Sequence, residues 1–165
     1  MVINKILIPL NQSELSLKIV PCVEKLFAPD AAELILYYVT RPPGTVGLGK
    51  PDLSPDYVLP GEQPVLPTLH PIYESQQEDS IRAHVAAELS PLVNRLDLAG
   101  YRVELRVGFD RDLVAAISRE IHEGAIDLVA MSTRARVGVT RFFFRNIADT
   151  LARQEKIPLL LIHPE

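Results

Sequence analysis

The chain has 165 residues, of which 47% are hydrophobic and 23% are charged. This length suffices for one domain with a sizeable core, and the composition is ordinary for a globular protein. The formal net charge of -4 argues against a protein built chiefly to bind nucleic acid. No apolar run approaches the roughly 20 residues that span a bilayer, and no signal-peptide pattern precedes the first predicted strand. We therefore expect a single soluble, cytoplasmic domain over residues 1–165, with no membrane or nucleic-acid partner.

Residues that commonly carry chemistry are few and scattered. The one cysteine, Cys22, lies in an apolar helical pattern, which favours a core thiol over a reactive one. The four histidines show no metal-ligand spacing, and His84 and His122 fall on predicted helices as surface or partly buried residues. There is no Walker sequence and no G-x-S-x-G nucleophile elbow. The sequence therefore predicts neither a catalytic site nor a metal site.

The first 40 residues predict a strand, a helix and a second strand. Lys5–Leu10 is a continuous apolar run, as expected of a strand buried on both faces. Glu14–Phe27 follows helical spacing, with Pro21 expected to kink or break the helix. Glu33–Thr40 is the second strand, which completes a right-handed βαβ unit. The predicted inward positions of the helix are Leu15, Ile19, Val23 and Leu26.

An insertion of about residues 41–73 interrupts this alternation. The segment from Arg41 to Pro71 holds eight of the fourteen prolines and half of the eight glycines, which excludes regular helix or central strand. It is nevertheless too apolar for a freely solvated linker. Since it leaves the carboxyl end of the second strand, we expect it to cover part of a ligand crevice there.

The remainder of the chain alternates between predicted helices and strands. The helices are Glu74–Leu98, Asp112–Glu123 and Asn146–Gln154, and the strands are Tyr101–Val107, Asp127–Met131 and Ile157–Ile162. Pro91 suggests a bend in the long helix, and Gly100 suits its C-terminal cap. This order predicts an open, parallel α/β sheet with helices on both faces.

The stretch from Asp127 to Thr150 is the predicted centre of function. It runs from a buried strand through a small-residue loop to a helix start, which is the usual place for an anion in an α/β protein. Two interpretations of its arginines remain open. They either pair with phosphate or carboxylate of a ligand, or are solvated or paired with acids of a second subunit. The arginines are Arg134, Arg136, Arg141 and Arg145. Phe142–Phe144 is expected to pack internally or at a dimer contact, with base stacking as the alternative.

Three segments resemble the universal stress protein family. They are Lys5–Glu14, Val107–Asp110 and the stretch from Asp127 to Ile162, which together cover nearly the whole chain outside the insertion. The resemblance implies a UspA-like, Rossmann-like (adenine nucleotide alpha hydrolase-like) fold with a five-stranded parallel sheet of order 3-2-1-4-5. It also implies a ligand crevice between the first and fourth strands, and a homodimer through the edge strand Ile157–Ile162.

One branch of the family binds ATP through a glycine-rich pattern, which is degenerate in this chain. The two loop glycines fall at Ser132 and Ala135, the third glycine at Arg145, and the hydroxyl residue at Asn146. The family aspartate after the first strand falls at Asn11. Asn146 is a good helix N-cap, and Asp149, at the third helical position, would repel a phosphate. The candidate ligand-contacting residues that the resemblance implies are Pro9, Asn11, Val39, Met131, Ser132, Ala135, Arg145 and Asn146.

These substitutions replace a bare backbone cradle with side chains. The sequence therefore predicts a non-catalytic, homodimeric stress-response protein with weak or no ATP binding, which acts through protein partners. The alternative is a module that binds ATP, another nucleotide or another anion through arginines of the loop 132–146. No general base or metal-ligand set supports an enzyme.

Overall fold

A computed structural model describes residues 2–11, 13–43, 71–133 and 142–163, with the backbone alone for 71–74 and 142–146. It contains five strands and five helices within these ranges. In chain order they are β1 (Lys5–Leu10), α1 (Glu14–Leu17), α2 (Val20–Leu26), β2 (Glu33–Thr40), α3 (Pro71–Leu98), β3 (Arg102–Phe109), α4 (Leu113–Glu123), β4 (Leu128–Ser132), α5 (Phe142–Gln154) and β5 (Leu159–Ile162).

The five strands form one parallel sheet of order β3-β2-β1-β4-β5, which confirms the predicted fold class. β1 lies at the centre and pairs with β2 along its whole length, from Lys5 opposite Glu33 to Leu10 opposite Tyr38. β3 and β5 are the edge strands of this described sheet. Strand order therefore reverses between β1 and β4, where ligands bind in open α/β sheets.

Two hydrophobic clusters cover the two faces of the sheet. One joins alternate residues of β1 and β2 to α2 and α3, with Ile8 and Leu36 packed among Val23, Val85 and Leu96. The other joins the opposite residues to α4 and α5, and is built from Leu7, Ile35, Val129, Ile117 and Leu151 among others. Because the central strands are buried on both faces, their sequences are continuous apolar runs rather than alternating ones.

The first helical segment is broken, as Pro21 predicted, into α1 and α2. Pro21 lies in the first turn of α2, where its missing N–H leaves no hydrogen bond unmade. One expectation for this segment is wrong, because Leu26 is 59% exposed rather than inward. Ile19 and Val23 are buried as predicted, and Val20 is buried as well.

The long helix α3 starts at Pro71, three residues before the predicted Glu74, and continues through Pro91. A proline is tolerated as the first residue of a helix, since that N–H has no intrahelical partner. The helix ends in a Schellman motif: Gly100 has φ +92° and donates to the Asp97 carbonyl at 2.9 Å, and Tyr101 donates to the Leu96 carbonyl at 3.0 Å. Gly100 is therefore the helix-terminating residue that the sequence predicted.

The helix α5 corrects a second expectation. It begins at Phe142, four residues before the predicted start, because Phe142–Arg145 contains no glycine or proline to interrupt a helix. Asn146 consequently lies in the second turn and is not the N-cap, and Asp149 is not in the first turn. β5 is also shorter than predicted and starts at Leu159.

The proposed cover over the crevice falls on residues 44–70, which lie outside the described part of the chain. Among the described residues, no helix is both long enough and apolar enough to cross a membrane.

Candidate ligand crevice

The crevice lies where β1 and β4 separate. These strands pair only at Ile6 with Leu128 and at Leu7 with Val129, whereas β1 stays paired with β2 as far as Leu10. Pro9 lies in the part of β1 that is not paired with β4, and it has no backbone N–H for a hydrogen bond between strands. The carboxyl ends of β1 and β4 therefore leave space between them at the point where strand order reverses.

Two cavities meet at Asn11. A small one of about 30 Å³ lies at the β1–β4 separation, and a larger, open one of about 400 Å³ lies beside the end of β2. The small cavity is lined by Pro9, Leu10, Asn11, Ser16, Leu113, Ile117, Met131, Ser132 and Ile147. The larger one is lined by Asn11, Ser13, Tyr38, Val39, Thr40 and Arg41. The small cavity has the volume of about one water molecule, whereas the larger one is within the size range of small-molecule sites.

Asn11 is held in one orientation by the turn that follows β1. Its Oδ1 accepts a hydrogen bond from the Ser13 backbone N–H at 2.8 Å. The Ser16 hydroxyl accepts from the Asn11 N–H at 3.3 Å and donates to the Ser13 carbonyl at 2.8 Å. Because the Ser13 N–H can only donate, the amide oxygen must face it, and the Asn11 Nδ2 donor is left for other partners. No partner of this Nδ2 is found among the described residues.

Ser132 places a hydroxyl at the carboxyl end of β4. The residue is 7% exposed, and its Oγ is buried without a hydrogen-bond partner among the described residues. Thr133, the next residue, donates from its backbone to the Ile162 carbonyl at 2.8 Å and so ties the end of β4 to β5. A buried hydroxyl without a hydrogen-bond partner costs about 1–3 kcal/mol of stability, so a further hydrogen bond to the Ser132 Oγ would be favourable.

The structure brings together five of the eight predicted site residues. Pro9, Asn11, Met131 and Ser132 line the small cavity, and Val39 lines the larger one with Asn11. Ala135 lies outside the described residues, as do Arg134, Arg136 and Arg141. Arg145 and Asn146 lie in the first two turns of α5, where only the backbone is described.

Sequence reasoning missed the apolar wall of the small cavity. Leu113 and Ile117 of α4 and Ile147 of α5 form this wall. Leu113 and Ile117 are four residues apart, so the pattern identified one helix face, but nothing local shows that this face reaches Ser132. Ser16 was also missed, although the spacing of Asn11, Ser13 and Ser16 is a signal for a hydrogen-bonded turn.

The described lining of the crevice contains few ionisable groups. Among its described lining residues, Arg41 is the one charged side chain, and there is no aspartate, glutamate, histidine, lysine or cysteine. The described residues also contain no cluster of three or more histidine, cysteine or acidic side chains that could hold a metal ion. These described residues can therefore donate and accept hydrogen bonds, but they include no carboxylate or histidine that could act as a general base.

Ion pairs with shifted carboxyl pKa values lie on β3, on the residue after it and on α4. Arg106 pairs with Glu104 at 2.7 Å and also with Glu120, and its hydrogen bond to Glu104 is the main cause of a lowered pKa of that carboxyl. The pKa of Asp110 is lowered mainly by the hydrogen bond that it accepts from the backbone, with Arg119 at 2.9 Å as a further cause. The pairs of Arg106 with Glu120 and of Asp110 with Arg119 connect β3 and the residue after it to α4, and none of these residues is among the described lining of the crevice.

An open parallel sheet with a crevice at the reversal of strand order defines the Rossmann-like class of α/β proteins. A family model described as the universal stress protein family matches residues 3–163. The chain belongs to the universal stress protein family. No curated protein matches it at a significant level.

Solved structures share the architecture over the full chain. A universal stress protein family member from Burkholderia pseudomallei is 20% identical, with a TM-score of 0.63 and coverage of 99% of this chain and 98% of that one. The universal stress protein UspA from Lactobacillus plantarum is 14% identical, with a TM-score of 0.61 and 99% of each chain covered. A universal stress protein in complex with cAMP is 16% identical, with a TM-score of 0.59, and 99% of this chain and 98% of that one are covered. At these identities the likeness concerns the fold.

Proposed function

We propose that this chain is a non-enzymatic, single-domain stress-response protein of the cytoplasm that forms homodimers, binds ATP weakly or not at all, and acts through protein partners. The observation that supports the proposal is the small volume of the cavity between β1 and β4. It amounts to about 30 Å³, and the buried side chain of Ser132 lies in its wall at a position where the family pattern has a glycine. Pockets for small molecules usually measure about 300–1,000 Å³, a range that the open cavity beside β2 reaches but the cavity between β1 and β4 does not.

Calorimetric titration with ATP tests the weak binding. We expect no micromolar affinity, and a micromolar dissociation constant would overturn this part of the proposal. Ser132→Gly should strengthen ATP binding, because it removes the side chain from the end of β4. Ser132→Ala is the matched control, since alanine keeps the Cβ and removes only the hydroxyl. Equal ATP affinities of the two variants would contradict the role given to this side chain.

The edge strand β5 supports the proposed dimer. It is a short apolar strand at the edge of the described sheet, and Leu161 is 37% exposed there. An uncovered edge of this kind is a template for pairing with a second chain. Leu161→Glu should therefore give monomers in sedimentation at micromolar concentration. Leu98→Glu, at a leucine that is 90% exposed at the end of α3, is the control that should leave the mass unchanged. A monomeric parent protein would refute the dimer.

The absence of catalysis is proposed from the crevice itself, whose described lining contains no acid, histidine, lysine or cysteine. A general base must lie within hydrogen-bonding reach of the proton that it removes. We expect no release of phosphate from ATP above background over hours. Release that disappears in the Asn11→Ala variant would contradict this expectation.

A second candidate function is a module that binds a nucleotide or another anion. The larger cavity of about 400 Å³ favours it, because Arg41 is among the residues that line it. A solved structure of the same fold is described as a complex with cAMP. The arginines of the loop 132–146 would add charge to such a site. Arg145→Ala should then weaken nucleotide binding, and stronger binding by this variant would count against the second candidate.

A further inference from the structure

Exposed hydrophobic side chains lie at the amino edge of the sheet, opposite to the crevice. Leu26 is 59% exposed at the end of α2, which leads into β2, and Leu98 is 90% exposed at the end of α3, which leads into β3. Val2 is also exposed and precedes β1. Because β1, β2 and β3 are neighbouring parallel strands, the segments that lead into them lie side by side. Within the described chain, three of the four large hydrophobic residues that are exposed therefore share one edge.

The ends of α2 and α3 are held together as one surface. The Tyr101 hydroxyl, just after α3, donates to the Phe27 carbonyl, just after α2, at 2.9 Å. Gly100 lies against the turn that follows α2, since an added Cβ there would be 3.4 Å from the Pro29 Cβ. We call this surface the amino-edge patch, and its exposed apolar residues are Leu26, Ala28, Ala31, Leu98 and Ala99.

The fold makes no use of the Leu98 side chain. In a Schellman motif the accompanying hydrophobic contact falls on the positions of Leu96 and Tyr101, and both of these residues are buried in the cluster that covers this face of the sheet. Leu98 lies between them in sequence and is left exposed. A group of adjacent exposed apolar residues is typical of a protein interaction site.

The charges around the amino-edge patch are mainly negative. Asp30 and Asp97 are both exposed. Glu24 and Arg95 neutralise each other through two hydrogen bonds of 2.7 and 3.1 Å, which leaves Lys25 as the one further cation in residues 24–31 and 95–101. The C-terminal end of the 28-residue helix α3 adds partial negative charge. The patch therefore favours a cationic partner.

The first residues of the adjoining strands do not change this balance. Leu34 and Val103 pack in the cluster beneath α2 and α3, so the preceding side chains, Glu33 and Arg102, belong to the opposite face of the sheet. Glu33 and Arg102 are also opposite each other in the β2–β3 pairing, and their formal charges cancel.

We infer that the amino-edge patch is a docking surface for a basic amphipathic segment of another protein. Apolar side chains of the segment contact Leu26 and Leu98, and its lysine or arginine side chains lie near Asp30 and Asp97. The inference rests on the proposed action through protein partners and gives the partner a chemistry. The same two carboxylates disfavour an anionic membrane or nucleic acid, and also a second copy of this chain, which would bring its own acidic patch to the contact.

NMR titration of the isotope-labelled full chain with two synthetic peptides tests the inference. Each peptide is an amphipathic helix of about 15 residues with leucines on one face, and its other face carries lysines in one peptide and glutamates in the other. We expect the lysine peptide to shift the amide signals of residues 24–31 and 95–101, and the glutamate peptide to leave them unchanged. Added salt should weaken the lysine peptide, because exposed charges are screened.

Leu98→Ser should weaken binding of the lysine peptide about tenfold, since burial of one leucine side chain against a partner has an effect of this order. Leu161→Ser is the matched control, because it removes an exposed leucine from β5, and it should leave the peptide affinity unchanged. Asp97→Asn should weaken binding about threefold, whereas Glu88→Gln, at an exposed acid in the middle of α3, should not. All four positions are exposed, so an unchanged Tm verifies that each variant is folded.

Three results would overturn the inference: no shift of these amide signals at millimolar lysine peptide, equal binding of the two peptides, or equal affinities of Leu98→Ser and Leu161→Ser. Vesicles of phosphatidylglycerol that shift the same signals would assign the patch to a membrane and would also overturn it. None of these results bears on the homodimer or on ATP binding, which sedimentation and calorimetry test separately. Conversely, a monomeric parent protein or micromolar ATP binding would leave the comparison of the two peptides intact.

Discussion

Replacing Gly108 with alanine should destabilise the protein through a single side-chain clash. Gly108 lies in β3, opposite Val39 of β2, and its backbone passes close to the ring of Tyr37. A Cβ at this position would overlap the Tyr37 Oη and lie 2.7 Å from Cζ and 2.9 Å from Cε2. Ordinary contacts need about 3.5–4.0 Å, so the ring must move by about 1 Å. Tyr37 is only 6% exposed and packs in the cluster beneath α4, which opposes that movement.

Two opposing terms set the size of the effect. Overfilling a packed core costs about 1–3 kcal/mol. Replacing a strand glycine by alanine returns about 0.5–1 kcal/mol, because the unfolded chain loses less backbone freedom on folding. The free energy of unfolding should therefore fall by about 1–2 kcal/mol, which lowers the Tm by about 2–8 °C for a chain of this size.

A double-mutant cycle with Tyr37→Leu separates the clash from other effects, since leucine lacks the hydroxyl oxygen and the two ring carbons that the new Cβ would meet. Thermal and urea unfolding of the four proteins give the coupling energy. In the Tyr37→Leu background, Gly108→Ala should cost nothing or be slightly stabilising. The reasoning is refuted if Gly108→Ala alone is as stable as the parent, or if its cost is the same in both backgrounds.

Further predictions concern stability. Asp127→Ala should cost about 1–3 kcal/mol in urea unfolding, because the carboxylate accepts from two backbone N–H groups at the start of β1, at 2.8 and 3.0 Å; an unchanged midpoint would contradict this. Gly100→Ala, at φ +92°, should cost about 1–2 kcal/mol, and no loss would show that the helix end relaxes. Burial raises the pKa of Tyr37, so the neutral phenol stabilises the fold below about pH 10, and this stabilisation is lost as the pH rises further. Tyr37→Phe should reduce the fall in the free energy of unfolding at alkaline pH. The hydrogen bond from Arg106 lowers the pKa of Glu104, so the ionised carboxylate stabilises the fold above about pH 4, and this stabilisation is lost as the pH falls. Glu104→Gln should remove this part of the acid dependence of stability. An acid profile identical to that of the parent protein would exclude such a role for Glu104.

Local sequence was sufficient for the succession of helices and strands and for an open parallel sheet, whereas the strand order was implied by the family resemblance. The apolar run Lys5–Leu10 has no polar alternation, which is a property of central parallel strands covered on both faces. The predicted helix Asp112–Glu123 agrees with α4, which has Asp112 as its N-cap and Gly124 as its C-cap, residue types that favour these positions. The third strand alternates as an edge strand should, and it lies at the edge of the sheet. These features depend on neighbours within a few positions along the chain.

The tertiary structure decided the site. Nothing near Ser132 in sequence shows that its hydroxyl is buried without a partner among the described residues, because its surroundings come from β1, α4 and α5. For Asn11, the turn after β1 determines the orientation of the amide. The cavities that Asn11 lines depend instead on where the pairing of β1 with β4 ends. The start of α5 at Phe142 was misjudged because a good capping residue, Asn146, is also tolerated inside a helix. Propensities and periodicities act over a few residues, whereas a cavity is the space left between elements brought together from distant parts of the chain.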